Sequence, residues 1–165
     1  MRLTENIRRY ILLSIVAFII IGVFTAKYIG NKQDEQFMYE EMLYNQASNT
    51  YQEGDFSEAL LYINELLKLQ PSSEAVNYLG ALITMNNSEF KQASILFQKT
   101  LDINPYKVED SIFLAQYGEV LLKLKQYDDA KSVFEKSYEW SWKLDNSQEF
   151  QEYLKQNLTQ IEKYS

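Results

Sequence analysis

The chain has 165 residues and a formal net charge of −7, and it contains neither cysteine nor histidine. Without cysteine it can form no disulfide, thiol nucleophile or thiolate zinc site, and without histidine it lacks the usual acid–base residue and metal ligand near neutral pH. The acidic balance argues against nucleic acid as a partner, because such affinity rests on Lys and Arg side chains that neutralise phosphates.

This composition makes an enzyme the weakest of the functional classes. Catalysis would have to use carboxylates, lysine or tyrosine alone, and the sequence has no phosphate loop, metal-ligand spacing or nucleophile–base arrangement. We therefore expect no catalytic residue, no cofactor, no metal and no small-molecule substrate. Five glycines and two prolines are few for this length, so the composition predicts an all-α protein.

The first predicted element is an apolar segment without charges at residues 10–26. Extended past Lys27 to residue 30, it reaches roughly the 20 residues that span the hydrocarbon core of a bilayer. The Lys27 side chain can reach the interface, and Tyr10 suits the aromatic belt there. We predict a single-pass transmembrane anchor at residues 10–30, in contact with lipid, after a short basic tail at residues 1–9.

The charges on either side of this segment predict its orientation. Arg2, Arg8 and Arg9 precede it, whereas Lys27 and Lys32 follow it and are diluted by nearby acidic residues. Because positive residues favour the cytoplasmic side, we expect the N-terminus in the cytoplasm and the remaining chain outside the cytoplasmic, or inner, membrane. The opposite orientation, with the remaining chain in the cytosol, is the alternative.

A cleaved signal peptide is the competing interpretation of the same residues. Its cleavage site requires small residues at the last and third-last positions before the cut. Cleavage after Ala26 would put Phe24 at the third-last position, and cleavage after Gly30 would put Tyr28 there. Neither site fits the requirement, so the sequence favours a retained signal-anchor.

A polar linker at residues 31–36 leads from the anchor to a series of helix pairs. The predicted pairs and the capping helix that follows them occupy residues 37–72, 73–107, 108–144 and 145–165. In the capping helix, one apolar face is expected to pack on the last pair and the opposite face to meet solvent. Asn146 is expected to begin this helix as its cap.

Turn and cap residues predict where the helices of the pairs end. Gly54 permits the turn inside the first pair, and Pro71 stops the second helix of that pair. Ser73 can cap the next helix through its hydroxyl. Lys125 takes the place of the turn glycine in the third pair, and the extra residues 108–110 are expected to lengthen the first helix of that pair.

Equivalent residues recur along the three pairs. The prolines Pro71 and Pro105 lie 34 residues apart, as do Ala59 and Ala93, and self-similarity at this period is typical of a helical repeat array. Each pair has a small residue in its first helix, then an aromatic residue, an alanine and an apolar residue in its second. In that order they are Ala47, Gly80 and Gly118; Phe56, Phe90 and Tyr127; Ala59, Ala93 and Ala130; and Ile63, Phe97 and Phe134.

This pattern resembles the tetratricopeptide repeat, a helix–turn–helix unit. The tryptophan usual near the start of that repeat is absent, and Leu43 and Leu114 stand at two of its places. The resemblance covers residues 37–144 and implies an α-solenoid of three helix pairs followed by a C-terminal capping helix. Pairs must stack in this way because one pair cannot bury its apolar face alone.

In this family the first helices of the pairs line a groove that usually holds a peptide or an extended protein segment. Only Asn77 fits the Lys/Asn clamp with which some members hold a free carboxylate, so we do not expect this groove to select free carboxylates. A groove that faces only solvent, or that the C-terminal helix fills, is the alternative. The groove-facing residues implied by the resemblance are Glu41, Tyr44, Ser48, Tyr51, Gln52, Glu74, Asn77, Ala81, Thr84, Met85, Ile112, Ala115, Glu119, Leu122 and Lys123.

The sequence therefore predicts a non-enzymatic, membrane-anchored adaptor or scaffold that mediates protein–protein interaction in a membrane-associated assembly. The layout is similar to that of bacterial envelope proteins with an N-terminal anchor and an extracytoplasmic repeat domain. A constitutive structural subunit of a larger membrane protein complex is the alternative. Trp140 and Trp142 are expected either to pack against the capping helix or to form a protein contact patch.

Overall fold

The computed structural model describes residues 4–163, and every secondary-structure element within that range is helical. The all-α fold expected from the sequence is therefore confirmed. The chain divides into two compact units, Met1–Met42 and Leu43–Ser165. Arg2, which contributed to the predicted orientation, lies outside the described residues.

The first unit is the N-terminal part of helix α1, which spans Glu5–Glu53. Its side chains between residues 10 and 29 are all exposed, although most of them are apolar. The helix contains a window long and apolar enough to cross a membrane, and none of that window is buried. Residues 31–36, predicted as a linker, are helical and continue α1. Contiguous exposed apolar surface on this scale marks contact with lipid or with protein.

The second unit contains the C-terminal end of α1 and six further helices. Each helix from α2 onward contacts the next one along the chain, which is the arrangement of an α-solenoid. The six helices are α2 (Phe56–Leu69), α3 (Glu74–Asn86), α4 (Phe90–Ile103), α5 (Ser111–Lys123), α6 (Tyr127–Trp140) and α7 (Ser147–Ile161).

Small residues allow the helices of the second unit to approach closely. Ala59, Ala93 and Ala130 have no exposed surface, as the repeat pattern requires. Gly118 of α5 lies against the ring of Phe134 of α6, and a β-carbon at this glycine would be 2.9 Å from the ring atom Cζ. The ring therefore occupies the space that a side chain at Gly118 would need.

The turns inside the three helix pairs share one backbone geometry. Gly54, Ser88 and Lys125 adopt left-handed φ angles of 83°, 64° and 60°. The residue after each of them donates its N–H to a carbonyl oxygen five residues earlier, at N–O distances of 2.8 to 3.0 Å, as in a Schellman motif. Glycine adopts this conformation freely, whereas serine and lysine carry steric strain there.

We expect Ser88→Gly and Lys125→Gly each to raise the free energy of unfolding by about 0.5–1 kcal/mol, because the relief of strain exceeds the added entropy of the unfolded chain. Gly54→Ala should lower it by about 1 kcal/mol for the converse reason. Urea unfolding of the full chain in detergent micelles, followed by tryptophan fluorescence, measures the change. In the matched control Lys131→Gly, glycine enters the interior of α6 and should destabilise by about 1 kcal/mol. A loss of similar size for Lys125→Gly would show that the turn is unstrained.

The prediction that residues 108–110 lengthen the first helix of the third pair is wrong. A 3₁₀ turn spans Pro105–Glu109, and α5 begins only after it. The reason lies in the Asp110 side chain, which accepts a hydrogen bond from the backbone N–H of Phe113 at 3.0 Å. This bond makes Asp110 the N-cap, so the helix cannot include the residues before it.

Helix α7 closes the series as expected. Leu154 and Ile161 are fully buried, and Phe150 and Leu158 pack against the same core. Asn146 is the N-cap position of the helix, as predicted, but its side chain makes no capping hydrogen bond. The capping of α3 by Ser73 does occur, since its hydroxyl accepts the N–H of residue 76 at 3.4 Å.

Candidate peptide-binding groove

Polar side chains connect the first helices of successive pairs. The Asn86 amide of α3 donates to the hydroxyl of Tyr51 of α1 at 3.4 Å. The Tyr78 hydroxyl of α3 donates to Oε1 of Gln116 of α5 at 2.7 Å. Burial raises the pKa of Tyr78 to about 12, so this hydroxyl remains a donor throughout the physiological range. These contacts fix the spacing of the helices on which the predicted groove residues lie.

Exposure divides the residues that the resemblance placed in a groove. Asn77, Ala81, Thr84 and Ala115 are buried and cannot touch a ligand in this conformation. Glu41 is exposed and belongs to the first unit. The residues of the second unit that remain exposed or half-buried are Tyr44, Ser48, Tyr51, Gln52, Glu74, Met85, Ile112, Glu119, Leu122 and Lys123.

The buried side chain of Asn77 forms hydrogen bonds within the fold. Its side-chain amide donates to the backbone carbonyl oxygens of Pro71 at 3.0 Å and Ser73 at 2.7 Å. It therefore ties the start of α3 to the turn before it. Thr84 is committed in a similar way, since its hydroxyl donates to the carbonyl oxygen of Gly80 at 2.7 Å. Neither polar group is available to a ligand, although both lie at groove positions of the repeat.

An open cavity of about 470 Å³ lies between α5 and α7. Glu119, Leu122 and Lys123 of α5, all predicted as groove residues, line one side of it. This volume falls within the range of small-molecule and side-chain binding pockets. The remaining lining residues, which the sequence interpretation missed, are Lys125, Tyr127, Tyr153, Asn157 and Gln160.

The missed side of the cavity belongs mainly to α7. The sequence predicts for this helix a packing face and a solvating face, and no residue that binds a ligand. The repeat period contained the missing signal, because Tyr153 follows Glu119 by 34 residues. Helix α7 thus presents its side chains as the first helix of a further pair would.

One hydrogen bond crosses the cavity and has the Glu119 carboxylate as its acceptor. The Tyr153 hydroxyl donates to Glu119. Burial raises the pKa of Tyr153 above its usual range, and the bond to the Glu119 carboxylate raises it further. Lys123 and Lys125 line the same cavity, and neither forms an ion pair with any residue of the described range 4–163. The cavity therefore presents two cationic groups beside a carboxylate that already has a donor.

A lysine from the inserted 3₁₀ turn neutralises another predicted groove residue. Lys107 Nζ lies 3.5 Å from the carboxylate of Glu74 and 3.0 Å from that of Asp110. Burial lowers the pKa of Lys107, but its contacts with the two carboxylates raise it by more, so the ammonium stays charged. It also lies 5.0 Å from the centroid of the Tyr78 ring, at cation–π distance. The negative charge of Glu74 is therefore compensated within the chain.

The two tryptophans have different environments. Trp140 is half-buried, and the ammonium of Lys143 lies 4.1 Å from the centroid of its ring. Trp142 is 66% exposed. Trp140 therefore fits the predicted packing role, whereas the exposed indole of Trp142 remains available as a contact surface.

A family model described as anaphase-promoting complex, cyclosome, subunit 3 matches residues 52–137, which is more than half of the chain. No curated protein matches the sequence.

Several solved structures are similar in fold. SycD, the type III secretion translocator chaperone of Yersinia enterocolitica, in complex with a peptide of the translocator YopD, has 18% identity and a TM-score of 0.62 over 74% of this chain and 91% of that chain. PcrH in complex with the chaperone binding region of PopD has 17% identity and a TM-score of 0.62 over 75% of this chain and 91% of that chain. The TPR domain of Arabidopsis OM64 has 15% identity and a TM-score of 0.60 over 73% of this chain and 98% of that chain.

At these identities the similarity concerns the fold alone. It agrees with the α-solenoid of helix pairs and with the recurring small and aromatic residues of the sequence, so the fold is that of the tetratricopeptide repeat. Because the family model matches more than half of the chain, the chain belongs to the family described as anaphase-promoting complex, cyclosome, subunit 3.

Proposed function

We propose that this protein is a membrane-tethered, non-enzymatic adaptor that binds an extended segment of a partner protein between α5 and α7. The open cavity carries this proposal, because it combines apolar and charged side chains on the face that the first helices present. SycD and PcrH are fold relatives whose structures contain a translocator peptide and the chaperone binding region of PopD. Their complexes support peptide binding as a use of this fold.

The tether is the second part of the proposal. The exposed apolar window of α1 would lie in the cytoplasmic membrane of a bacterium, with the N-terminus in the cytoplasm and the repeat domain on the outer side. Confinement to the membrane raises the local concentration of a weak binder near a partner that is also held there. Protease treatment of intact spheroplasts tests the orientation, since only an extracytoplasmic repeat domain would be digested.

A constitutive structural subunit remains the second candidate, and one surface favours it. The 3₁₀ turns Pro105–Glu109 and Ser141–Lys143 are joined by an ion pair of 3.3 Å between Lys143 and Glu109. Around these turns Tyr106 is 80% exposed and Trp142 is 66% exposed. Exposed aromatic side chains of this kind are enriched at contacts between proteins.

Purification from native membranes in mild detergent separates the two candidates. An adaptor should elute mainly alone, with its partner recovered only after chemical crosslinking. A structural subunit should elute in a fixed ratio with the same proteins in every fraction. Mass spectrometry of the fractions identifies the partner in either case, and stoichiometric co-elution would contradict the adaptor.

A further inference from the structure

We infer that the cavity between α5 and α7 recognises the side-chain carboxylate of a glutamate or aspartate in the bound segment. The inference deepens the proposed function and rests on it, since the partner segment carries this carboxylate. The inference depends on the charges that line the cavity, on the hydrogen bonds that are already formed there, and on the volume and lining of the cavity.

The lining has a positive balance in a chain that is acidic as a whole. Lys123 and Lys125 both line the cavity, and no carboxylate of residues 4–163 lies within ion-pair distance of either ammonium. Three other lysines of the second unit do form ion pairs: Lys107 with Glu74 and Asp110, Lys136 with Glu139, and Lys143 with Glu109. Two uncompensated ammonium groups at one opening attract an anion, whereas the net charge of −7 repels anions from the surface as a whole.

The one carboxylate of the lining does not neutralise these lysines. Glu119 accepts the hydroxyl hydrogen of Tyr153, which holds its carboxylate on the α7 side of the cavity. Asn157 is oriented on the same helix, since its side-chain amide donates to the backbone carbonyl oxygen of Tyr153 at 2.9 Å. The arrangement leaves the lysine side of the opening free for a carboxylate from another molecule.

The remaining walls suit a side chain within a continuous segment. Leu122 and Tyr127 supply apolar surface beside the lysines, and Gln160 supplies an amide at the α7 side. A cavity of about 470 Å³ accommodates one acidic side chain together with parts of its neighbours. These walls suit an acidic side chain that lies between apolar residues of a continuous segment.

A small probe isolates this contact from the rest of the partner. N-acetylglutamic acid α-amide carries a single carboxylate, on its side chain, and can be titrated into the isotope-labelled full chain in detergent micelles while amide NMR signals are recorded. We expect saturable shifts for residues 119–127 and 153–160, and no shifts with the neutral probe N-acetylglutamine amide. Equal shifts with both probes would overturn the inference.

Two variants and two further probes sharpen the result. The double variant Lys123→Gln/Lys125→Gln should weaken binding of the acidic probe by about tenfold or more, the size of one charge-assisted hydrogen bond. Lys131→Gln removes an exposed lysine of α6 outside the cavity and should leave binding unchanged. Undiminished binding to the double variant would overturn the inference. So would equally tight binding of N-acetylalanine or inorganic phosphate, because the cavity would then be a general anion site.

The failure of this inference can be told apart from the failure of the proposed function. A photo-crosslinking residue at Leu122 reports whether any partner segment reaches the cavity in native membranes. Crosslinks without binding of the acidic probe would overturn carboxylate recognition and leave peptide binding intact. Absence of crosslinks would overturn the proposed function itself.

Discussion

Replacing Gly118 with alanine should lower the free energy of unfolding of the repeat domain by about 1–2 kcal/mol, even though alanine favours helices over glycine by about 1 kcal/mol. The added β-carbon would lie 2.9 to 3.0 Å from three atoms of the Phe134 ring. That ring is fully buried and cannot swing away. Overpacking by one methyl group in such a core costs typically 1–3 kcal/mol, and here the cost exceeds the gain in helix propensity. Urea unfolding of the full chain measures the loss.

Gly80 provides the matched control for this substitution. A β-carbon at Gly80 would meet the side-chain ends of Leu96, Leu67 and Ile63 at 3.2 to 3.4 Å. These flexible groups can move by a few tenths of an ångström, so Gly80→Ala should be near neutral or stabilising by up to about 1 kcal/mol. The two glycines occupy the same repeat position, and only the neighbouring side chain differs.

A second substitution tests the cause of the loss at Gly118. Phe134→Leu alone should destabilise the domain, because it leaves unfilled volume in the core. Combined with Gly118→Ala, it should cost less than the two single changes together, since the methyl group then enters the space left by the ring. Strict additivity of the two changes would contradict the proposed fit between glycine and ring.

The second large effect concerns the apolar window of α1. We expect Ile19→Lys combined with Ile20→Lys to move most of the protein from the membrane pellet to the soluble fraction after a carbonate wash. Each lysine near the middle of a membrane-spanning helix costs about 2.5–3.5 kcal/mol of insertion free energy. The pair would therefore remove several kcal/mol of insertion free energy from the proposed single-helix anchor.

Charge added outside the window controls for this effect. Asn31→Lys combined with Gln33→Lys adds the same charge to the polar part of α1 and should leave the protein in the pellet. A wild-type protein recovered in the soluble fraction would contradict the anchor. The intact mass of the wild-type protein tests the remaining alternative, since cleavage of a signal peptide would remove the apolar residues.

The recurring small residues are predictable from the sequence because they follow from the geometry of one repeat. Ala59, Ala93 and Ala130 are buried for the same reason in each pair, so their period alone predicts their position. The left-handed backbone at Lys125 is predictable in the same way, because this lysine occupies the position that a glycine has in the first pair. Features that recur within each repeat, such as buried alanines and turn residues, can therefore be predicted from the sequence.

Contacts of individual side chains outside the repeat pattern were not predicted. Asn77 occupies a groove position, but its amide is used by the turn that precedes α3. The apolar residues of α7 predict a capping helix, but they do not indicate the hydrogen bond between Tyr153 and Glu119. Residues 108–110 failed for a local reason, because the side chain of Asp110 begins a helix where a count of residues extends it.

Photo-crosslinking in native membranes most directly tests whether the face between α5 and α7 binds a partner segment. A photoreactive residue at Leu122 lies in the cavity, and the same residue at Leu61, which is 70% exposed on α2 outside the cavity, serves as its comparison. We expect a discrete protein adduct at Leu122 that a Lys123→Gln/Lys125→Gln background diminishes, and no discrete adduct at Leu61. Discrete adducts at Leu61 alone, or equal adducts at both positions, would contradict binding between α5 and α7.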